Sequence, residues 1–390
     1  MDMIASPAAY RVNSHEMFKL TVTRRRIAVK LLVSIVVVVT AIFGFTNNTS
    51  AQVISADSTL SVTGLVEAYY VLDADQPASN NRPSFLYNHT RTNEVTVNLA
   101  YVKMRYADSE VRANLALMSG TYAQANLAAE LPIWRNLFEA NAGARLSKSE
   151  NLWVDAGLYA SHIGFESAIG KDNWTLTRSL AAENSPYYES GARVTYVTPN
   201  NAWTLCAHVL NGWQQIQRPA GNSGLSWGTQ VVYQPNSDVT INSSTFIGNT
   251  KTDNAKQLRL FHNFYGIFSL SPSLGLILGF DFGSEEQAAK GSSSVWYAPV
   301  AIVRYRVDES KYVAARVEYY QDKDGVIVLT GTANGFNVVG GSLNFDYAIS
   351  KNSLWRIEGR ALQSRDRIFV KSDGVGESNF SVTTSLSVFF

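Results

Sequence analysis

The sequence has few of the residues on which disulfide scaffolds and metal sites are built. Its 390 residues include one cysteine, Cys206, which excludes an internal disulfide and any zinc motif that needs a cysteine pair. None of the five histidines has the spacing of an H-E-x-x-H motif, so we expect neither a metal nor a cofactor. Because 33 basic residues face 32 acidic ones, the chain also lacks the basic excess of a nucleic-acid binder.

Charged residues are scarce as well, at 17% of the chain, whereas soluble proteins contain about 25%. Aromatic residues reach 12%, yet the mean hydropathy of -0.07 is too low for a helical membrane protein. A transmembrane β-barrel has this combination, because apolar residues that face lipid alternate with polar residues that face the lumen. The composition therefore favours a barrel.

The N-terminal segment is typical of a secretory signal peptide. Three arginines at 24–26 and Lys30 precede an apolar run at 31–45, which is shorter than the roughly 20 residues of a spanning helix, and small residues at 49–51 suit cleavage. We predict that residues 1–51 are cleaved and that 52–390 form a single barrel domain; an uncleaved anchor is the alternative, and Met17 could replace Met1 as the start. Removal leaves 27 basic residues against 30 acidic ones, a net charge of -3.

From Thr59 onward, apolar and polar residues alternate. This alternation is interrupted by short turns and long polar loops, which follow each other in strict alternation. This arrangement predicts an all-β transmembrane antiparallel up-and-down barrel of about 16 strands, with short periplasmic turns and long extracellular loops. A soluble propeller or solenoid is the alternative, but no fixed repeat is present. The predicted strands are 59–72, 93–106, 110–119, 137–147, 151–164, 187–197, 202–212, 224–234, 238–249, 257–270, 274–283, 294–307, 311–321, 335–349, 354–365 and 379–390.

The alternation also predicts which side chains face the lumen. An arginine that faces lipid at the bilayer midplane costs about 2–4 kcal/mol, so the charged phase of each strand should face water. Nine arginines and eight acidic residues then lie inside, and we expect the late arginines to form a basic sector, which acts in ion selection or in a salt-bridge network that stiffens the wall. The predicted pore-lining residues are Arg112, Arg145, Asp155, Arg193, Arg259, Arg304, Arg306, Arg316, Glu318, Arg356, Glu358 and Arg360.

The loop at 165–186 carries Glu166, Lys171 and Arg178 and is a candidate constriction. The alternative is an exposed surface loop, which the usual position of loops favours. His208 falls on the lumen phase without an identifiable partner, and His162 and His262 fall on the lipid phase. Since no G-x-S-x-G motif is present either, we expect no enzymatic activity and no catalytic residues.

Several segments resemble a known family. The run Asp155–Glu166 (DAGLYASHIGFE), Trp174–Leu180 (WTLTRSL), Pro186–Gly191 (PYYESG) and Asn211-Gly-Trp213 are similar to the putative β-barrel porin family common in Bacteroidetes outer membranes. The resemblance implies a diffusion porin in the outer membrane of a Gram-negative bacterium, surrounded by lipid and passing small hydrophilic solutes through a water-filled channel.

The chain ends on an aromatic residue, Phe390. Similarity to outer-membrane proteins implies that this terminal strand is read by the barrel-assembly machinery. The alternative function is a non-transporting barrel that anchors or recruits a surface or secretion partner. The sequence leaves open whether the barrel is a homotrimer or a monomer.

Overall fold

Sixteen long antiparallel strands close into a barrel. The structure, a computed structural model, describes residues 52–55, 58–287 and 291–390; the predicted signal peptide lies outside the described residues. The last strand pairs with the first long one, with Thr384 opposite Tyr70, so the sheet has no free edge along the barrel wall. The predicted barrel is confirmed.

The strands follow the chain in order around the barrel, and the short β1 pairs only with the start of β2. They are β1 (Gln52–Ser55), β2 (Ser58–Asp73), β3 (Val95–Ala107), β4 (Val111–Ser119), β5 (Leu137–Arg145), β6 (Asn151–Ala160), β7 (Tyr188–Val197), β8 (Trp203–Leu210), β9 (Ser226–Asn236), β10 (Val239–Asn249), β11 (Leu258–Ser269), β12 (Leu274–Gln287), β13 (Ser292–Arg306), β14 (Lys311–Asp322), β15 (Phe336–Ser350), β16 (Ser353–Ser364), β17 (Phe369–Lys371), β18 (Gly374–Gly376) and β19 (Ser378–Phe389). β17 and β18 form a separate hairpin within the last loop.

In the part of the chain that the structure describes, helices are short and confined to loops. The α-helices there are Thr121–Asn126 and Leu180–Glu183, and the 3₁₀ helices are Pro132–Trp134, Gly170–Asp172 and Asp253–Ala255. Among the described residues, no helix has both the length and the apolar character needed to cross a bilayer.

Two predicted strand ends differ from the structure by four residues. β6 ends at Ala160 rather than at 164, because the chain turns inward there: the His162 carbonyl accepts from Ser244 Oγ at 2.7 Å, and Gly164 N donates to Asn263 Oδ1 at 3.1 Å. β12 continues to Gln287, so the loop predicted at 284–293 is shorter than expected.

Alternating side chains divide the wall into an apolar outer face and a polar inner face. On β12, Leu278, Phe280 and Phe282 are exposed on the outside, whereas the intervening Asp281 is buried inside. Trp203 and Trp355 lie exposed on the outer face, as the aromatic girdles of a membrane barrel require. Trp296, by contrast, points inward and fills the space that Gly283 leaves without a side chain.

Candidate functional site

The strand register brings charged residues of neighbouring strands together on the inner face. Arg112 on β4 and Asp155 on β6 both lie opposite Gly143 on β5, and a side chain at Gly143 would collide with the Asp155 carboxylate. Arg112 therefore reaches across and donates two hydrogen bonds to Asp155, at 2.7 and 2.6 Å. Arg193 on β7 lies opposite Asp155 on its other side and donates a third, at 3.3 Å.

These residues belong to a sector that we call the early wall, the charged inward residues of β3–β7 that are not enclosed by loops. The side chains of Arg112 and Arg193 remain 27% and 29% exposed, and that of Lys103, bonded to Glu139 at 2.7 Å, is 27% exposed. The early wall comprises Lys103, Arg105, Arg112, Glu139, Arg145, Asp155 and Arg193.

Two basic members of the early wall, Lys103 and Arg105, were not predicted from the sequence. The register opposite β2 places Tyr101, Lys103 and Arg105 on one face of β3, with Leu65 opposite Tyr101. The alternation of apolar Val102 and Met104 with these residues was the signal that could have found them. With them, the early wall has five basic residues against two acidic ones.

The late arginines are not free in the lumen. Arg316 on β14 donates to the Thr177 carbonyl at 2.6 Å and to Glu358 at 3.1 Å, and Arg360 donates to Glu318 at 2.7 Å. All four charged side chains are buried, at no more than 4% exposure. We call Arg316, Glu318, Glu358 and Arg360 the late cluster. Of the two roles that the sequence left open for the late arginines, Arg316 and Arg360 therefore fit the salt-bridge network, because a loop covers them.

That loop is 161–187, and the late cluster is its socket. The Glu358 carboxylate accepts from Thr177 N at 2.5 Å and from Thr177 Oγ1 at 2.9 Å, while Glu318 accepts from Leu180 N at 2.6 Å. Arg356 on β16 binds Asp346 at 2.6 Å and donates to the carbonyls of Gly170 and Asn173. The wall thus holds the loop largely through its backbone.

Side chains of the loop hold its own shape. Arg178, fully buried, donates to the carbonyls of Ser167, Ala168 and Leu176 at 2.9, 2.6 and 2.7 Å. Glu166 accepts from the backbone and hydroxyl of Ser179, and burial raises the pKa of this carboxyl.

Lys171 is the predicted loop residue that stays accessible. Its side chain is 27% exposed and pairs with Asp172 at 2.7 Å. Of the two alternatives for this loop, the structure shows the inward one, and the surface loop favoured by the general rule is wrong. The reason is that buried charges of the late strands need backbone partners, which the loop supplies.

A second loop, 74–94, enters the barrel mouth and meets the first. Its Phe85 packs on Phe336 with ring centroids 4.7 Å apart, and His89 lies 2.9 Å from Glu67 on β2. Glu183 joins the two loops by accepting from Tyr87 N at 2.7 Å, and burial raises the pKa of Glu183 to about 7. Both loops therefore pack against the inner face of the barrel wall.

Besides Arg356, three predicted residues lie outside both sectors. Arg259 on β11 is buried against Glu285, with a nitrogen 2.6 Å from the carboxylate. Arg304, and Arg306 at the end of β13, border a cavity of about 300 Å³ at the end of the barrel that carries the short turns, where the Arg304 guanidinium stacks 4.2 Å from the Tyr312 ring centroid. These two arginines lie on the side of the inward loop that faces the short-turn end of the barrel.

The expected position of His162 on the lipid phase is wrong. Because β6 ends at Ala160, His162 belongs to the loop and lies buried inside, 2.8 Å from Glu189 and stacked on His208. His208, expected to have no partner, thus has this ring partner. His262 does lie on the outer face, where it bonds Ser243 at 2.8 Å.

Solved structures of outer-membrane proteins, porins among them, share this fold. The chain is similar to an anion-selective porin from Comamonas acidovorans, at 12% identity and a TM-score of 0.57 over 86% of this chain and 100% of that one. It is also similar to the outer-membrane OmpT of Vibrio cholerae (10% identity, TM-score 0.56) and to OmpF of Salmonella typhi in complex with daunomycin (10%, 0.55), each over 87% of this chain and all of the other. At these identities the likeness shows the fold alone.

No curated protein matches the chain. The sequence model of one family, described as "Putative beta-barrel porin-2, OmpL-like", matches residues 59–390, almost the whole described barrel. The expected resemblance and outer-membrane location are confirmed: the chain belongs to the putative beta-barrel porin-2, OmpL-like family and is a diffusion porin of a Gram-negative outer membrane.

Proposed function

We propose that this porin passes small hydrophilic anions in preference to cations, along the early wall. The observation that carries the proposal is the charge of the early wall, where five basic residues face two acidic ones and all five basic side chains remain at least partly accessible. The late cluster, by contrast, is buried under the inward loop. A lumen sector of one sign raises the local concentration of counter-ions and excludes ions of the same sign.

The ion pairs within the early wall order its basic groups rather than cancel them. Asp155 is shared by Arg112 and Arg193, so the three side chains carry a net positive charge. Arg112 also stacks on Trp153, 4.4 Å from the ring centroid, and Arg193 on Tyr159, 4.5 Å away. The guanidinium groups are therefore held in fixed positions along the proposed anion path.

The test is the reversal potential of single channels in a KCl gradient, for the wild type and for Arg112→Gln and Arg193→Gln. Each substitution should reduce the anion preference, and the double variant should reduce it further. Lys351→Gln, at an exposed turn outside the barrel, is the matched loss of one positive charge and should change nothing. Equal selectivity in the wild type, both single arginine variants and the double variant would refute the proposal.

One observation favours the second candidate, a non-transporting barrel that recruits a partner. The two inward loops pack Phe85, Leu86 and Leu180 into one apolar cluster with inward residues of the late strands, as in the core of a closed protein. A folded barrel that shows no conductance steps in bilayers would favour this function over diffusion.

Further proposals concern signal-peptide cleavage, assembly into the membrane and the absence of enzymatic activity. We propose cleavage after Ala51, to be checked by N-terminal sequencing of the exported protein. We propose that Phe390 is the residue read by the assembly machinery, since its backbone exchanges two hydrogen bonds with Gly64 at the barrel seam; Phe390→Ala should lower the amount of folded barrel in the outer membrane. Chemical crosslinking in outer membranes would decide between homotrimer and monomer. That the barrel lacks enzymatic activity is proposed from the family alone.

A further inference from the structure

Two histidines and a glutamate converge inside the barrel, next to Arg193 at the edge of the early wall. His162 begins the inward loop, Glu189 lies on β7 and His208 on β8. The rings of His162 and His208 stack with centroids 4.1 Å apart at an angle of 22°. One ligand atom from each of the three residues lies within 4.8 Å of the others.

The cluster has donor atoms without protein partners. Within the part of the chain that the structure describes, neither ring nitrogen of His208 and not the Glu189 Oε1 atom makes a hydrogen bond. His208 is 1% exposed and Glu189 is fully buried. Buried polar groups in folded proteins almost always have a partner, so an imidazole with two bare nitrogens beside a bare carboxylate oxygen requires an explanation.

His162 is held in the orientation of a metal-binding histidine. Its Nε2 atom lies 2.9 Å from the Thr245 carbonyl, which can only accept, so Nε2 carries the proton, while Nδ1 lies 2.8 Å from Glu189 Oε2. Metal-binding histidines commonly donate their second ring nitrogen to a backbone carbonyl in this way. Gly228 makes room, because a Cβ there would approach Nε2 to 2.8 Å.

We propose that His162 Nδ1, the Glu189 carboxylate and a ring nitrogen of His208 bind one divalent transition-metal ion of the Zn²⁺ type. Two imidazoles and one carboxylate suit such borderline ions, whereas Ca²⁺ and Mg²⁺ prefer more oxygen ligands. Bonds of roughly 2.0–2.2 Å place ligand atoms somewhat closer together than here, a difference that side-chain rotation supplies.

Binding replaces the hydrogen bond between His162 Nδ1 and Glu189 Oε2, now 2.8 Å long, by two bonds to the ion. If His162 holds a proton on Nδ1 beforehand, that proton is released to solvent. The nearby positive charge is Arg193 on β7, which lies opposite His208. The hydrogen bond from Arg193 to the Asp155 carboxylate offsets this charge.

Tyr159 on β6 lies opposite Glu189, with its ring centroid 6.2 Å from that of His208. Its buried hydroxyl also makes no hydrogen bond to the described residues, so a further donor is available at the edge of the site. The ion would tie the start of the inward loop to β7 and β8. This proposal does not depend on ion conduction by the barrel.

The rival account is a metal-free ion pair between a protonated His162 and Glu189, with His208 stacked on it. The two accounts differ in whether the barrel binds an ion at one equivalent. The test is titration of the full chain, purified from outer membranes and stripped with a chelator, with Co²⁺ followed by visible absorption and with Zn²⁺ followed by calorimetry.

We expect one ion per barrel and the absorption bands of low-coordinate Co²⁺. His208→Gln should weaken binding by at least about tenfold, since even residues outside the ligand set can change affinity this much. Because His208 makes no hydrogen bond among the described residues, this substitution should leave the fold intact. Glu189→Gln should also weaken binding.

His262→Gln is the matched control, because His262 lies on the outer face. It should bind like the wild type, and the heat-dependent shift in gel mobility would establish that every variant is folded. Absence of saturable binding by the wild type, or equal binding by wild type and His208→Gln, would overturn the proposal and favour the ion pair.

Discussion

Replacing Glu358 by glutamine should release the inward loop from its socket. The Glu358 carboxylate accepts from Thr177 N at 2.5 Å, from Thr177 Oγ1 at 2.9 Å and from Arg316 at 3.1 Å, all in a buried site. Glutamine keeps the size of the side chain, but it removes the negative charge and replaces one acceptor oxygen by a donor group. Arg316 would then keep Glu318, 3.4 Å away, as its nearest acidic neighbour.

The cost to the docked loop can be worked from these contacts. Breaking a buried ion pair by removing one partner costs about 3–5 kcal/mol, and a hydrogen bond to a charged group contributes about 1.5–3 kcal/mol. Because Glu318 partly compensates, we take about 3 kcal/mol, which shifts the docking equilibrium roughly 100-fold towards the undocked loop. Thr177→Val, which removes only the hydroxyl, should cost about 1 kcal/mol.

The assay is single-channel recording in planar bilayers. Glu358→Gln should show a higher or more variable conductance than the wild type, and Thr177→Val should lie between them. Glu285→Gln is the matched control, because Glu285 pairs with buried Arg259 at 2.6 Å, in the part of the wall away from the socket. A folded Glu358→Gln barrel with the conductance of the wild type would refute the view that the late cluster holds the loop.

Three other predictions concern the pH dependence of loop docking, the reactivity of the Cys206 thiol and the packing around His162. Because the docked state raises the pKa of Glu183 from 4.5 to about 7, docking should weaken as pH rises through that range; limited proteolysis should show this in the wild type and not in Glu183→Gln. Cys206, half-buried on the inner face with Sγ 3.2 Å from Thr195 Oγ1, should react with small water-soluble thiol reagents; complete protection would contradict an open early side. Gly228→Ala should displace His162 and lower thermal stability, and unchanged stability would contradict this close packing.

Much of the barrel was predictable because the bilayer imposes one rule on every strand. Outward residues must be apolar and closure must satisfy all backbone groups, so alternation and turn spacing predicted sixteen strands to within a few residues. The inward phase follows from the same rule. Arg112, Asp155 and Arg193 were predicted inside from alternation, and their register places them together.

The loops were not predictable from this rule, because alternation carries no information about where a loop folds. Thr177 reaches Glu358 across 181 positions of sequence, and no local pattern records that contact. The late cluster was therefore expected to line the lumen, whereas the inward loop covers it. His162 was misplaced for a related reason, since the apolar and polar alternation of β6 continues past Ala160 although the strand does not.

The central claim is that ions pass along a positively charged early wall. The most direct test is the reversal potential of the wild-type channel under a tenfold KCl gradient, measured on protein purified from outer membranes. For the wild-type channel, we expect discrete open steps and a reversal potential with the sign of chloride preference. A potential with the sign of potassium preference, or no steps from a folded barrel, would contradict it.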